Sequence, residues 1–113
     1  MQERRKYRLH YSKKAQRDLD EIWDFYLDEY QNVDAAVKII DSIIDDIEQL
    51  ADFPELGPPL SSIADVESRY RFLVSGNYLS FYRIDGDDIS IDRVLYGRRD
   101  YLSILLGDMT ENI

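Results

Sequence analysis

At 113 residues, with a net charge of −9, no cysteine and one histidine, the chain has the length of one domain, and its composition excludes a disulfide scaffold, a cysteine-ligated zinc and a thiol nucleophile. The acidic total argues against a dedicated nucleic-acid binder, which is basic overall, and no apolar run reaches the roughly 20 residues of a membrane span. The charge is unevenly placed, +5 over residues 1–14, −13 over 15–68 and −1 over 69–113, so the ends can present positive patches beside a middle that repels polyanions.

The basic N-terminus lacks the apolar stretch of a signal peptide, so a cytoplasmic location is expected, and residues 1–6 read as a polar tail. Tyr7, Leu9 and Tyr11 alternate with Arg8 and His10, the period of a short strand. Ser12 is placed to cap a helix, and over 13–30 the residues Ala15, Leu19, Ile22, Trp23, Tyr26 and Tyr30 step by three or four, which is one helical face. Arg17, Asp18, Asp20, Glu21, Asp24 and Asp28 are assigned to its wet face, and Trp23, Tyr26 and Tyr30 to the core. A polar break at 31–34, with Asn32 and Asp34 as candidate caps, leads to a second amphipathic helix that runs to about Ala51 through Ala36, Ile40, Ile43, Ile47 and Leu50. So short a link implies an antiparallel helix hairpin.

Phe53-Pro54 ends the second helix, because proline disfavours helix in the residue before it. The segment 54–60, PELGPPL, holds all three prolines of the chain and reads as a stiff loop, while 61–68 is either loop or one helical turn. Three strands follow at about 69–75, 78–85 and 88–96, joined by Gly76-Asn77 and Asp85-Gly86-Asp87, turns whose residues tolerate the positive φ of tight hairpins. Arg69, Arg71, Arg83 and Arg93 within them suggest that one side of the sheet meets something other than protein interior. After Gly97-Arg98-Arg99-Asp100, the apolar run 101–106 is expected to form a last helical turn or an extra strand, and 107–113 a polar tail. The order strand, helix, helix, strand, strand, strand predicts one α+β two-layer domain over 1–113, a helix hairpin on an antiparallel sheet.

In that order, three stretches resemble the RelE/ParE superfamily of toxins from type II toxin–antitoxin systems, and its ParE-like branch in particular. They are YSKKAQRDLDEIWDFYLDEY at the entry to the first helix, DFPELGPPL after the second, and the closing pattern Arg71…Tyr78…Phe81-Tyr82-Arg83…Ile91…Arg93-Val94-Leu95…Gly97-Arg98-Arg99-Asp100. The resemblance runs from Tyr7 to Tyr101 and implies a β-α-α-β-β-β fold and a toxin neutralised by a cognate antitoxin, in a toxin–antitoxin hetero-oligomer. ParE-like members poison DNA gyrase, whereas RelE-like members cleave messenger RNA on the ribosome.

Metal-free RNA cleavage needs a group to take the 2′-hydroxyl proton, a donor to the leaving oxygen and cations on the phosphate. By resemblance to RelE-like enzymes, the candidates are Arg71 and Arg83 on the phosphate and Tyr101 near the position of a C-terminal tyrosine. Against that set, Tyr96-Gly97 stands where many members carry a histidine before the glycine, no lysine follows Lys38, and the acidic helices oppose docking among phosphates. Gyrase poisoning instead demands a surface, and the resemblance places it at the C-terminal end, with Arg98, Arg99 and Tyr101 as target contacts. The expected function is therefore gyrase inhibition without catalysis, with ribosome-dependent RNA cleavage as the alternative and no cofactor or metal in either. Plainer roles stand beside these. Arg71 and Arg83 can pair with Asp85, Asp92 or Asp100, Arg98 and Arg99 can form a cluster with Asp100, and Leu102, Leu105 and Leu106 can seal the core. His10 reads as a partly exposed strand residue.

Overall fold

The structure, a computed structural model, describes residues 6–111. Residues 1–5 and 112–113, which hold most of the expected N-terminal tail and the end of the C-terminal one, lie outside the described residues. In chain order the elements are β1 (Arg8–Tyr11), α1 (Lys13–Tyr30), α2 (Val33–Glu48), short 3₁₀ turns at Gln49–Ala51 and Leu60–Ser62, β2 (Arg71–Ser75), β3 (Tyr78–Asp85), β4 (Asp88–Tyr96) and α3 (Tyr101–Glu111).

Local chemistry sets the helix ends. The Ser12 hydroxyl accepts the Ala15 N–H at 3.0 Å and donates to the Asp92 carbonyl at 2.8 Å, so one side chain caps α1 and ties it to β4. Asn32 caps α2 through the Ala35 N–H at 3.1 Å. The reversal between the helices turns on Gln31, whose φ of 46° is left-handed and whose N–H closes onto the Leu27 carbonyl.

The sheet order is β1-β4-β3-β2. The β2–β3–β4 meander is antiparallel as predicted, with Gly76 and Gly86 at positive φ in its two turns. β1 joins β4 in parallel, Leu9 opposite Ile89 and Tyr11 opposite Ile91, which makes the sheet mixed. No hairpin links these two strands, and the helix hairpin and two strands intervene, so their relative direction is free of a tight turn. The register slips between Phe81 opposite Arg93 and Tyr82 opposite Ile91, leaving Asp92 as the extra residue of a β-bulge. That bulge is where Ser12 meets β4.

One core cluster lies between the helix pair and the sheet, around Ile22, Ile43, Ile47, Tyr82, Ile89 and Ile91. A second occupies the opposite face, around Leu60, Tyr70, Phe72, Phe81, Leu95 and Leu105. α3 and the segment after the prolines cover that second face, adding a partial third layer to the expected two. The run 101–106 is thus helix, and the helix continues through Gly107 to Glu111. In the proline loop, a Cβ on Gly57 would collide with the Phe72 carbonyl and stand 2.9 Å from the Tyr82 ring. The buried Tyr82 hydroxyl there donates to the Pro54 carbonyl at 2.8 Å and accepts the Gly57 N–H at 3.0 Å, which is why this loop tolerates no side chain at position 57.

Candidate functional site: sheet arginines and an aromatic groove

Of the four arginines expected in strands, Arg71, Arg83 and Arg93 lie in strands and Arg69 precedes β2, and all four are engaged within the protein. Arg71 stands opposite Tyr82 in the ladder and shares its face, while Arg83 follows Tyr82 and points to the other face. The Arg71 guanidinium donates to the Gly57 carbonyl at 2.6 Å. Arg83 pairs with Asp92 at 2.7 Å and lies 5.7 Å from the centre of the Tyr70 ring. Asp92 also accepts the hydroxyls of Tyr70 at 2.9 Å and Ser90 at 2.6 Å. The acid pairing foreseen for both arginines therefore forms for Arg83, whereas Arg71 meets a backbone carbonyl. Arg69 donates to the Ile84 carbonyl at 3.0 Å.

Arg93 makes a two-point pair with Asp18, Nε to Oδ2 at 2.8 Å and Nη2 to Oδ1 at 2.9 Å, and the Val94 N–H reaches the same carboxylate at 2.9 Å. Asp18 is buried, a correction to its assignment to the wet face of α1. The bulge of β4 presents a guanidinium and an N–H under α1, and a carboxylate at position 18 satisfies both. Arginines in these strands accordingly mark internal partners and not, by themselves, an external one.

Tyr101 opens α3 and packs on Phe81 with ring centres 5.6 Å apart, on the face of Arg83. The three residues of the RNA-cleavage reading are thus split, Arg83 and Tyr101 on one face and Arg71 on the other. His10 on β1 stands opposite Ser90, which stands opposite Arg83, so it lies two strands from Arg83 on the same face, with its Nε2 2.8 Å from the Asp88 Oδ1. Hydrogen bonds from Arg8 and His10 hold the Asp88 carboxyl down to about 2. Among the described residues no group of three or more His, Cys, Asp or Glu side chains is arranged to hold a metal.

The end of β4 is built differently. Gly97 donates to the Asn77 carbonyl at 2.7 Å, and Asp100 accepts the Ser103 N–H at 3.3 Å and its hydroxyl at 2.7 Å. Asp100 therefore caps α3 in place of the cluster foreseen with Arg98 and Arg99. Both arginines are exposed, and among the described residues neither guanidinium has a hydrogen bond or ion pair. Arg99 forms one wall of a groove of about 440 Å³ between α1 and the start of β3 and end of β4, lined also by Glu21, Phe25, Tyr26, Tyr30, Tyr78 and Tyr96. Burial and a hydrogen bond with Tyr26 push the Tyr78 hydroxyl well above the usual phenol range.

Phe25, Tyr26 and Tyr30 meet one another with ring centres 5.5–6.0 Å apart. Trp23 and Tyr26 are half-buried, but Tyr30, assigned above to the core, is 61% exposed. It sits in the last turn of α1, and its ring meets those of Tyr26 and Phe25. The helical period alone foretold one apolar face and could not tell where along α1 the sheet beneath it ends.

Residues 9–101 match the family described as the ParE toxin of type II toxin–antitoxin systems, parDE. No curated protein matches the chain. Among solved structures it is similar to a chain of the chromosomal ParDE toxin–antitoxin system from P. aeruginosa, with a TM-score of 0.68 and 23% identity over 81% of this chain and 97% of that one. It is also similar to a chain of the toxin–antitoxin complex RelBE2 from Mycobacterium tuberculosis, with a TM-score of 0.60 and 19% identity over 85% of this chain and 97% of that one. At these identities the two structures speak for the fold.

Proposed function

The chain belongs to the ParE toxin family of type II toxin–antitoxin systems, and from that membership we propose that it inhibits DNA gyrase as a protein ligand and is held in check by a cognate antitoxin. The observation that carries this reading is the placement of the arginines. Arg71 and Arg83 leave opposite faces of the sheet, each held by an internal partner, so they do not converge on one phosphate. Cleavage of RNA needs convergent groups with a proton acceptor among them. Arg98 and Arg99, in contrast, are exposed cations at the end of the sheet with no internal partner among the described residues, which is what a contact surface requires.

Arg98 and Arg99 are the proposed contacts, with Tyr101 beside them at the start of α3. Since the Tyr101 ring rests on Phe81, its share is to place the arginines and offer the edge of its ring. The domain works in the cytoplasm in this reading, where gyrase is. Among the described residues no helix is long and apolar enough to cross a membrane.

The test runs the purified chain in two parallel assays, gyrase supercoiling and cleavage of messenger RNA on programmed ribosomes. Inhibited supercoiling with intact messenger is expected, and R98A/R99A should relieve the inhibition while melting at the wild-type temperature. Messenger cleavage with gyrase unaffected would reverse the assignment and return Arg83 and Tyr101, which share a face, to the role of candidate catalytic groups.

A further inference from the structure

α3 covers only part of its face of the sheet. On the remainder a row of residues crosses three strands, from His10 on β1 through Ser90 on β4 to Arg83 on β3. The Tyr70 ring lies 5.7 Å from the Arg83 guanidinium, and the Tyr101 ring rests on neighbouring Phe81. Arg8, two residues before His10, shares its face. The side chains of Arg8, His10 and Arg83 are 69%, 59% and 43% exposed. Cations set among aromatic rings on a sheet are a common means of holding single-stranded nucleic acid.

Here those cations carry their counter-charges with them. The Asp88 carboxylate takes the Arg8 Nε and the His10 Nε2, both at 2.8 Å. The Asp92 carboxylate, only 14% exposed, takes the Arg83 Nε at 2.7 Å and the hydroxyls of Tyr70 and Ser90 at 2.9 and 2.6 Å. Three donors fix Asp92 in place, so an incoming phosphate cannot displace it without breaking all three bonds. Arg83 is bound through Nε, and among the described residues its Nη atoms make no hydrogen bond. A phosphate drawn to those atoms would stand beside a fixed carboxylate and be repelled. Resting on the reading of the chain as a protein ligand of gyrase and not a nuclease, we propose that Asp92, seconded by Asp88, determines the specificity of this face. It cancels Arg83 from within and bars phosphodiester chains, leaving Arg98 and Arg99 as the cations offered to a target. A fixed like charge that excludes the wrong partner is an ordinary source of specificity.

The experiment titrates the full chain with a labelled single-stranded oligouridylate of about ten nucleotides, within the footprint of such a face. D92N keeps the shape of the side chain and removes its charge, while D41N, on the exposed side of α2, removes the same charge elsewhere as the control. D92N should bind about tenfold or more tighter than the wild type, the worth of one charge-assisted contact. Its salt dependence should steepen by about 0.7 in log–log slope, the mark of one more phosphate neutralised on a single strand. D88N should gain less and D41N nothing, and R83Q added to D92N should restore the wild-type affinity. Equal affinity of D92N and wild type, a gain that D41N matches, or a gain that survives R83Q overturns the proposal. So does a wild-type chain that already binds the oligonucleotide through Arg83. If D92N melts early, D92S takes its place under the same outcomes. Supercoiling is read on the same proteins, and D92N should inhibit as the wild type does. A gain of RNA affinity in D92N beside a wild type that spares gyrase refutes the gyrase reading and leaves the role of Asp92 standing. Inhibition by both with no gain refutes the role of Asp92 and leaves the gyrase reading standing.

Discussion

Asp18 is the residue whose loss should be felt most. Its carboxylate takes two hydrogen bonds from Arg93 and one from the Val94 N–H, and the Arg93 side chain is only 15% exposed. Removing one member of a buried pair costs about 3–5 kcal/mol, because the other charge stays in a poorly solvated place. D18A should therefore lower unfolding free energy by about that much in a denaturant titration, and a loss below about 1 kcal/mol would mean that Arg93 finds water or another acceptor. Tyrosines make a second prediction at this scale. Burial pushes the Tyr11 hydroxyl up to about 12, with Glu48 adding to it, and burial raises Tyr82 against a hydrogen bond from Gly57 and the charge of Arg71. Tyr78 is raised as well. In the unfolded chain a phenol ionises near pH 10, so above that the unfolded state releases protons that the folded state keeps. The sign follows from linkage: this stability is fully present below about pH 10 and is lost as pH rises through the folded values, above pH 10 for all three and toward 12 for Tyr11. Denaturant midpoints measured from neutrality into that range should be flat and then fall, and a curve that stays flat through it would contradict the burial of these hydroxyls.

At the scale of elements, α3 ties together the end of β4 and the second core cluster. Leu105 is fully buried there, with Leu102 and Ile104 packed beside it. L105A should cost about 2–5 kcal/mol, the range for a buried leucine that leaves a cavity. Chemical denaturation checks it, and a cost under about 1 kcal/mol would show that α3 is not part of the cooperative fold. The same contact reshapes any truncation experiment, since a cut after Ser103 removes Leu105 and damages the core together with any target contact. Which elements were legible in the sequence follows the distance over which each is determined. α1 and α2 are set by caps three residues from their partners and by periods of three or four, and both begin as read from Ser12 and Asn32. The meander was legible because its turns are local and glycine-marked. The parallel pairing of Arg8 with Asp88 and the ion pair of Asp18 with Arg93 join residues 75 or more apart, with no local signature. Helical period put Asp18 beside other acids, and only the bulge of β4 makes it an internal residue. For 101–106, an almost wholly apolar stretch carries no period to separate helix from strand, and the answer came from Asp100 as a cap. The candidate site divides the same way. Arg98 and Arg99 stood out as a charged pair after glycine, whereas the groove needed the placement of α1 over β4.

At the scale of the whole molecule, charge is segregated by element. The −13 of residues 15–68 lies chiefly on the helix layer, and the six arginines that follow Lys38 after residue 68 belong to the sheet and its end. A partner approaching the helix layer meets a negative field that extends about a Debye length, some 8–10 Å at ordinary salt. A neutralising antitoxin segment with Lys or Arg is accordingly steered before it touches, and steering acts on the association rate much more than on dissociation. Stopped-flow association of the chain with its antitoxin should therefore slow as ionic strength rises, while the dissociation rate changes little. Arg99 sets the size of the effect locally. In R99E the helix layer loses a cationic neighbour across the groove and gains an anionic one, so the field seen by a basic segment becomes more negative. The association rate of R99E should hold at or above that of the wild type at low salt. An association rate indifferent to salt would mean that the partner is recognised without help from the acidic helices.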